Sequence, residues 1–290
     1  MTDPPSMQPR SSTLLLYRDG GVWLGLNGAR LSSVRLMQWR PDFVPIDAQA
    51  QRIDLLAALP FESRSLDAIY GYHVLEHLDL HEARRFLAEC LRVLAPGGWL
   101  RVSTPDFVGH LRAYLQCLAD ARRRPEDPRA RARLEFTRML LLDQRVRRRS
   151  GGRMLELLRA TEVDRDLATR VLGLTGPWLL DVARGARHAP TRSGASAAPM
   201  LRRTIAAIRR RLAFRRRAPW WQRDCRETRE LEISNWDEVS LVRELRGAGF
   251  EDVAVASTGS SRLPGWRDFD RCPHTAADIE RSAIAEGRRP

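Results

Sequence analysis

Between residues 65 and 103 the chain reads as strand, helix, tight exit and strand, with almost nothing left over. This stretch limits the available folds more than any other feature. Leu66 to Tyr72 is a short apolar run with Asp67 near its start, the pattern of a buried strand. From His81 to Leu94, apolar residues fall at Phe86, Leu87, Leu91 and Leu94, the spacing of one helix face. Pro96-Gly97-Gly98 stops that helix. Trp99 to Ser103 alternates as a strand does, and Pro105 ends it.

The same alternation extends outward. Ser12 to Tyr17 and Val22 to Leu26 are apolar runs split by Asp19-Gly20-Gly21, which predicts a hairpin or two edge strands. Phe43 to Ile46 is a further short run. Phe107 to Leu118 predicts a helix. Near the other end, Glu238 to Ala248 has helical periodicity, with Asp237 as its cap and Gly249 as its stop. Glu251 to Ser257 alternates as a strand, and Ile279 to Glu286 is the candidate for a last one. Strands alternating with helices predict an α/β fold around a parallel sheet. Between the two pieces, residues 121–230 show no strand signal. They contain helical stretches over Arg131 to Leu142 and Met154 to Leu172, then a loop rich in small residues near Pro190 to Pro199.

Charge divides the chain in the same places. The formal net charge is +13. Residues 1–120 carry about −1, residues 121–230 about +17 and residues 231–290 about −3. Every basic residue is arginine, as a GC-rich coding bias produces, so the distribution tells more than the total. The expected organisation is a flexible tail over 1–12, a core over 13–120 and 231–290, and an arginine-rich helical insertion over 121–230. No run is long and apolar enough to predict a membrane-spanning helix. The opening MTDPPSMQPRSS does not read as a secretory leader. Cys90, Cys117, Cys225 and Cys272 stand far apart, which suits a reducing cytoplasm better than a disulfide framework.

Three motifs occur in order: IDLLAALPF (53–61), SLDAIYGYHVLEHL (65–78) and RVLAPGGWLRVSTPD (92–106). With SNWDEVSLVRELRGAGFEDVAVAST (234–258), they resemble the class I S-adenosylmethionine-dependent methyltransferases over about 120 residues. The resemblance implies a Rossmann-like class I methyltransferase sheet with helices on both faces. Ligands then lie at the carboxyl ends of the strands, and S-adenosyl-L-methionine is the cofactor. It implies roles for individual residues. Asp47 would accept hydrogen bonds from the ribose diol. Asp54 and Leu55 would contact the adenine. Tyr72 and His73 would lie beside the methionine portion and the reacting methyl. Gly25, Asn27 and Gly28, in LGLNGAR (24–30), stand where the family has its first glycine loop, although the usual G-x-G spacing is absent.

Methyl transfer to a hydroxyl needs a base, and His73 is the candidate for it, against the alternative of a histidine that only shapes the pocket; Asp106 is a lesser candidate. Glu76 and His77 are expected to buttress the loop. His73 to His77 also fits H-x-x-E-H, a zinc-protease pattern. That pattern requires a long helix, and here it follows a strand directly. Within the insertion, Leu201, Ile205, Ile208 and Leu212 form one helical stripe flanked by arginines, and Trp220 and Trp221 follow. This suits either a helix packed on the core or a segment lying on an anionic membrane surface. The expected activity is methyl transfer to a small molecule, such as a hydroxyl of a saccharide, lipid-linked glycan or secondary metabolite. The rivals are a non-catalytic relative that binds a membrane or partner through its basic block, and a nucleic-acid methyltransferase. The latter lacks an N/D-P-P-Y/F tetrapeptide after Leu66 to Tyr72.

Overall fold

The computed structural model describes residues 13–19, 22–27, 51–53, 55–148, 152–159, 163–173, 175–184, 231–257, 260–263 and 282–290. The first three strands are β1 (Thr13–Asp19), β2 (Val22–Asn27) and β3 (Gln51–Ile53). The Asp19-Gly20-Gly21 signal does separate a hairpin: β1 and β2 pair antiparallel, with Asp19 opposite Val22. Then come β4 (Leu66–Tyr72), a 3₁₀ turn over Leu75–His77, α1 (Leu80–Val93) and β5 (Leu94–Pro105). After a helical excursion, the chain returns through elements that close the sheet, Glu238–Gly247 as a helix, Glu251–Val255 and Ser282–Arg288 as strands. The last two are β6 and β7.

The seven strands lie in the order β3-β2-β1-β4-β5-β7-β6. β4 pairs parallel to both β1 and β5, whereas β7 runs antiparallel to both β5 and β6. The sheet is therefore mixed, not wholly parallel as the alternation suggests. β2 is reversed because its turn is too short for a crossover. The α/β, Rossmann-like character stands. The Pro96-Gly97-Gly98 exit is drawn into β5 as an irregularity between Leu94 and Trp99. Gly97 has φ 77°, and a Cβ on Gly98 would sit 3.0 Å from the Asp67 carbonyl oxygen, so both positions need glycine.

α1 begins where Asp79 and Glu82 form a reciprocal capping box. Its Phe86, Leu87, Cys90 and Val93 pack with Ile69, Leu100 and Val102 of the sheet and with Leu241 and Leu245 of the 238–247 helix. Full burial of a side chain such as Phe86 contributes about 1.5–3 kcal/mol. The alternate residues of β5 and β7 carry a buried ion pair, Arg101 Nη1 to Glu286 Oε1 at 2.5 Å. Arg101 also donates to the Ser257 and Ser260 carbonyls, and Glu286 accepts from the Arg262 amide. The loop after β6 is thereby fastened to the sheet.

The excursion contains α2 (Phe107–Arg123), α3 (Pro128–Val146), α4 (Gly152–Arg159), α5 (Arg165–Leu172) and α6 (Thr175–Ala183); the 238–247 helix is α7. These helices have a core of their own, including Cys117, Phe136, Leu140, Leu158, Leu167 and Leu180. α2 belongs to it, so this helical body starts ahead of residue 121. The single helix expected over Met154 to Leu172 is two helices. Asp164 caps the second by accepting from the Leu167 amide at 2.7 Å. The stripe from Leu201 to Leu212 and the two tryptophans lie outside the described residues. Among the described residues, no helix is long and apolar enough to cross a membrane.

Candidate functional site

The chain leaves β4 through an unusual residue. His73 has φ 49°, a left-handed conformation costly for a side chain with a Cβ. Its amide is held by the Ser103 carbonyl of β5 at 3.0 Å. The 3₁₀ turn follows, anchored by buried Val74, Leu75 and Leu78. The H-x-x-E-H residues thus span a strand exit and a short turn. They do not share the helix that a zinc-protease site requires.

Glu76 is only 3% exposed. Its Oε1 lies 3.6 Å from His73 Nδ1 and 3.9 Å from His77 Nε2. His77 Nδ1 is 2.9 Å from the Leu231 carbonyl, which can only accept, so this nitrogen carries the proton. Glu76 and His77 do buttress the loop. The Glu76 carbonyl accepts from the amides of Ile233 and Ser234, and Ser234 Oγ donates to the Leu75 carbonyl. Residues 231–236 therefore form a strap across the end of β4. The Glu232 amide ties the strap to the Gln144 carbonyl of α3.

At the end of β5, Thr104 is buried and Pro105 turns the chain into α2. Asp106 accepts from the Gly109 amide at 2.8 Å. It is the helix cap, which occupies the carboxylate considered above as a lesser catalytic acid. One turn on, His110 Nε2 donates to the Val171 carbonyl at 2.9 Å. Arg145 of α3 bonds Asn235 and lies 5.6 Å above the Phe107 ring. Together these groups line a small open cleft between sheet edge, strap and helical body. Glu76, Thr104, His110, Arg145, Glu232 and Trp236 are among its walls.

Two groups here titrate abnormally. Burial, and secondarily the neighbouring His110, pull the His73 pKa down to about 4. His73 is therefore neutral near neutral pH. Burial raises the Glu232 carboxyl, against the opposite pull of Arg145 and Arg147.

The expected cofactor residues do not all gather here. Leu55 follows β3 and is 2% exposed within the sheet core. Tyr72 ends β4, and His73 follows it, 3.6 Å from the cleft residue Glu76. Gly25, however, lies inside β2, paired with Leu16 on one side and Gln51 on the other. Asn27 ends the same strand opposite Leu14, near the start of β1. The antiparallel pairing of β2 with β1 carries both residues away from the carboxyl edge. Neither is in the loop that the resemblance assigns to it. Gly28, Asp47 and Asp54 lie outside the described residues. His110, Arg145, Glu232 and the Ser234-Asn235-Trp236 strap were not identified from the sequence. Only the polar run before the Asp237 cap hinted at the strap.

Residues 31–102 match the family model described as a methyltransferase domain. A protein of Mycolicibacterium smegmatis named "Probable S-adenosylmethionine-dependent methyltransferase" is 40% identical over 65 residues, 21% of this chain and 24% of that protein. Two similarly named proteins from strains of Mycobacterium tuberculosis are each 45% identical over 51 residues, 18% of either chain. The chain thus spans about a quarter or less of the length of the curated relatives it matches. The matched stretch holds the strand, 3₁₀ turn and helix that position His73. Over the matched residues, motif order, sheet architecture and these likenesses agree with a methyltransferase domain of the kind that takes S-adenosyl-L-methionine as its methyl donor.

Proposed function

We propose that this protein is an enzyme that transfers a methyl group from S-adenosylmethionine to a hydroxyl of a small polar molecule. The observation that carries the reading is the small cleft at the end of β5, walled in part by Glu76, whose carboxylate lies 3.6 Å from His73 Nδ1. S-Adenosylmethionine supplies a methyl group on a sulfonium, already a good leaving group, so the protein contributes mainly position. The described residues suit it. Leu55 and His73 follow strands at the edge where the family's ligands bind. A neutral His73 adds no repulsion beside a sulfonium, and the Glu76 carboxylate favours it.

The walls favour a polyhydroxylated acceptor, such as a saccharide or a glycan head group. The Glu76 and Glu232 side chains and the Asn235 amide can accept from hydroxyls, while Trp236 and Phe107 add apolar surface. A cytoplasmic setting, and approach to a lipid-linked acceptor through Leu201 to Trp221, belong to this proposal on sequence pattern alone. Calorimetric titration with S-adenosylmethionine and S-adenosylhomocysteine tests the reading. Micromolar binding that Asp47→Ala abolishes supports it. No binding at millimolar concentration overturns it in favour of a non-catalytic relative.

A further inference from the structure

We propose that Glu76 is the positioning residue for His73, fixing the tautomer in which Nδ1 is protonated and Nε2 receives the proton of the acceptor hydroxyl. This rests on the methyl-transfer reading and specifies its acceptor as a hydroxyl.

Both ring nitrogens of His73 face defined groups. Nδ1 points toward Glu76 Oε1 at 3.6 Å, and Nε2 lies 3.1 Å from Ser282 Oγ. A carboxylate only accepts, so it favours the ring with Nδ1–H. The Nδ1 separation is slightly long for a hydrogen bond, as catalytic contacts often are before substrate binds. Nε2 is then the acceptor for the Ser282 hydroxyl. A side-chain hydroxyl already sits at bonding distance from the nitrogen that a substrate hydroxyl would use.

His77 does not compete for the carboxylate. Its Nδ1 donates to the Leu231 carbonyl, so the neutral ring presents an unprotonated Nε2 to Glu76. The backbone supports the same assignment. His73 is held at φ 49° by its bond to Ser103, and the strap fixes Glu76 through its carbonyl. Such strain persists where the surroundings determine one conformation, and it clusters at functional sites.

In the reaction, a lone pair of the acceptor oxygen forms the bond to the methyl carbon. The carbon–sulfur bond breaks, and its electron pair stays on sulfur. The hydroxyl proton passes to His73 Nε2. The positive charge thereby moves from sulfonium to imidazolium, close to the Glu76 carboxylate. His110, whose charge acts on this ring, opposes that charge.

The test is long-range ¹H–¹⁵N spectroscopy of the full chain labelled at histidine nitrogen, with His73 assigned through His73→Gln. The expected wild-type spectrum shows His73 protonated at Nδ1. In Glu76→Gln, the His73 pKa should fall by about one unit with loss of the carboxylate. A wild-type ring protonated at Nε2, or an unchanged pKa in Glu76→Gln, overturns the proposal. If Glu76→Gln does not fold, the wild-type tautomer alone decides. S-Adenosylmethionine titration of the wild type is read separately, so failure of the methyl-transfer reading is distinguishable from failure of the Glu76 assignment.

Discussion

His73 and the Arg101–Glu286 pair illustrate opposite uses of buried polarity. His73 resists protonation in the folded chain, where its pKa is about 4. An unfolded histidine titrates near 6.5, so the unfolded state binds the proton first as pH falls. The stability contributed by the neutral ring is complete above about pH 6.5 and is lost as pH falls toward 4. Between pH 7 and pH 5 this loss should be on the order of 1–2 kcal/mol, discounted for the ring's partial exposure. Urea midpoints across that range measure it, and His73→Gln should flatten the slope. His110 lowers the His73 pKa further, and Glu76 is the carboxylate facing the ring at 3.6 Å. Arg101 and Glu286 form an ion pair that is almost fully buried. Glu286→Gln leaves Arg101 without its counter-charge, and should cost about 3–5 kcal/mol in denaturant unfolding. A change below about 1 kcal/mol would contradict a buried, dry pair.

At the scale of elements, caps connect sequence to boundaries. Asp143, near the end of α3, accepts from the Arg153 and Met154 amides and so caps the start of α4 from a distance. Asp143→Ala should cost about 1–2 kcal/mol and reduce helical circular dichroism, whereas Arg148→Ala, at an exposed position, should change little. Local signals of this kind were readable beforehand. The strands over 66–72 and 251–255, the helix from Leu80, the Asp237 cap and the hairpin at Asp19-Gly20-Gly21 all follow from periodicity and turn chemistry. So was His73's position after β4. What periodicity does not contain is strand direction and distant partnership. The reversal of β2, which carries Gly25 into a ladder, depends on how a turn is closed. The break between α4 and α5 depends on Asp164 acting as a cap within a continuous apolar pattern. The cleft walls come from residues 76, 104, 110, 145 and 232, which no local pattern connects.

At the scale of the whole molecule, the sheet and the helical excursion have separate hydrophobic cores. The positive charge is concentrated in residues 121–230, which carry about +17 against +13 for the whole chain. Mixed-sequence duplex DNA should therefore bind weakly at 50 mM salt and be released by 200 mM, because counterion release supplies most of the affinity. Fluorescence anisotropy at the two salt concentrations checks this. Binding that survives 200 mM and prefers one sequence would instead support the nucleic-acid rival. The arrangement of the strap has a different consequence. The excursion departs at Phe107 and returns through Glu232 and Ser234, and all three border the same cleft. Some 120 residues thus leave and re-enter the sheet at nearly one place, like a side chain written at the scale of a domain. Such an excursion is a replaceable cassette: a lineage can exchange it, and with it the molecules admitted to the edge, without disturbing the strands and helices that build the edge itself.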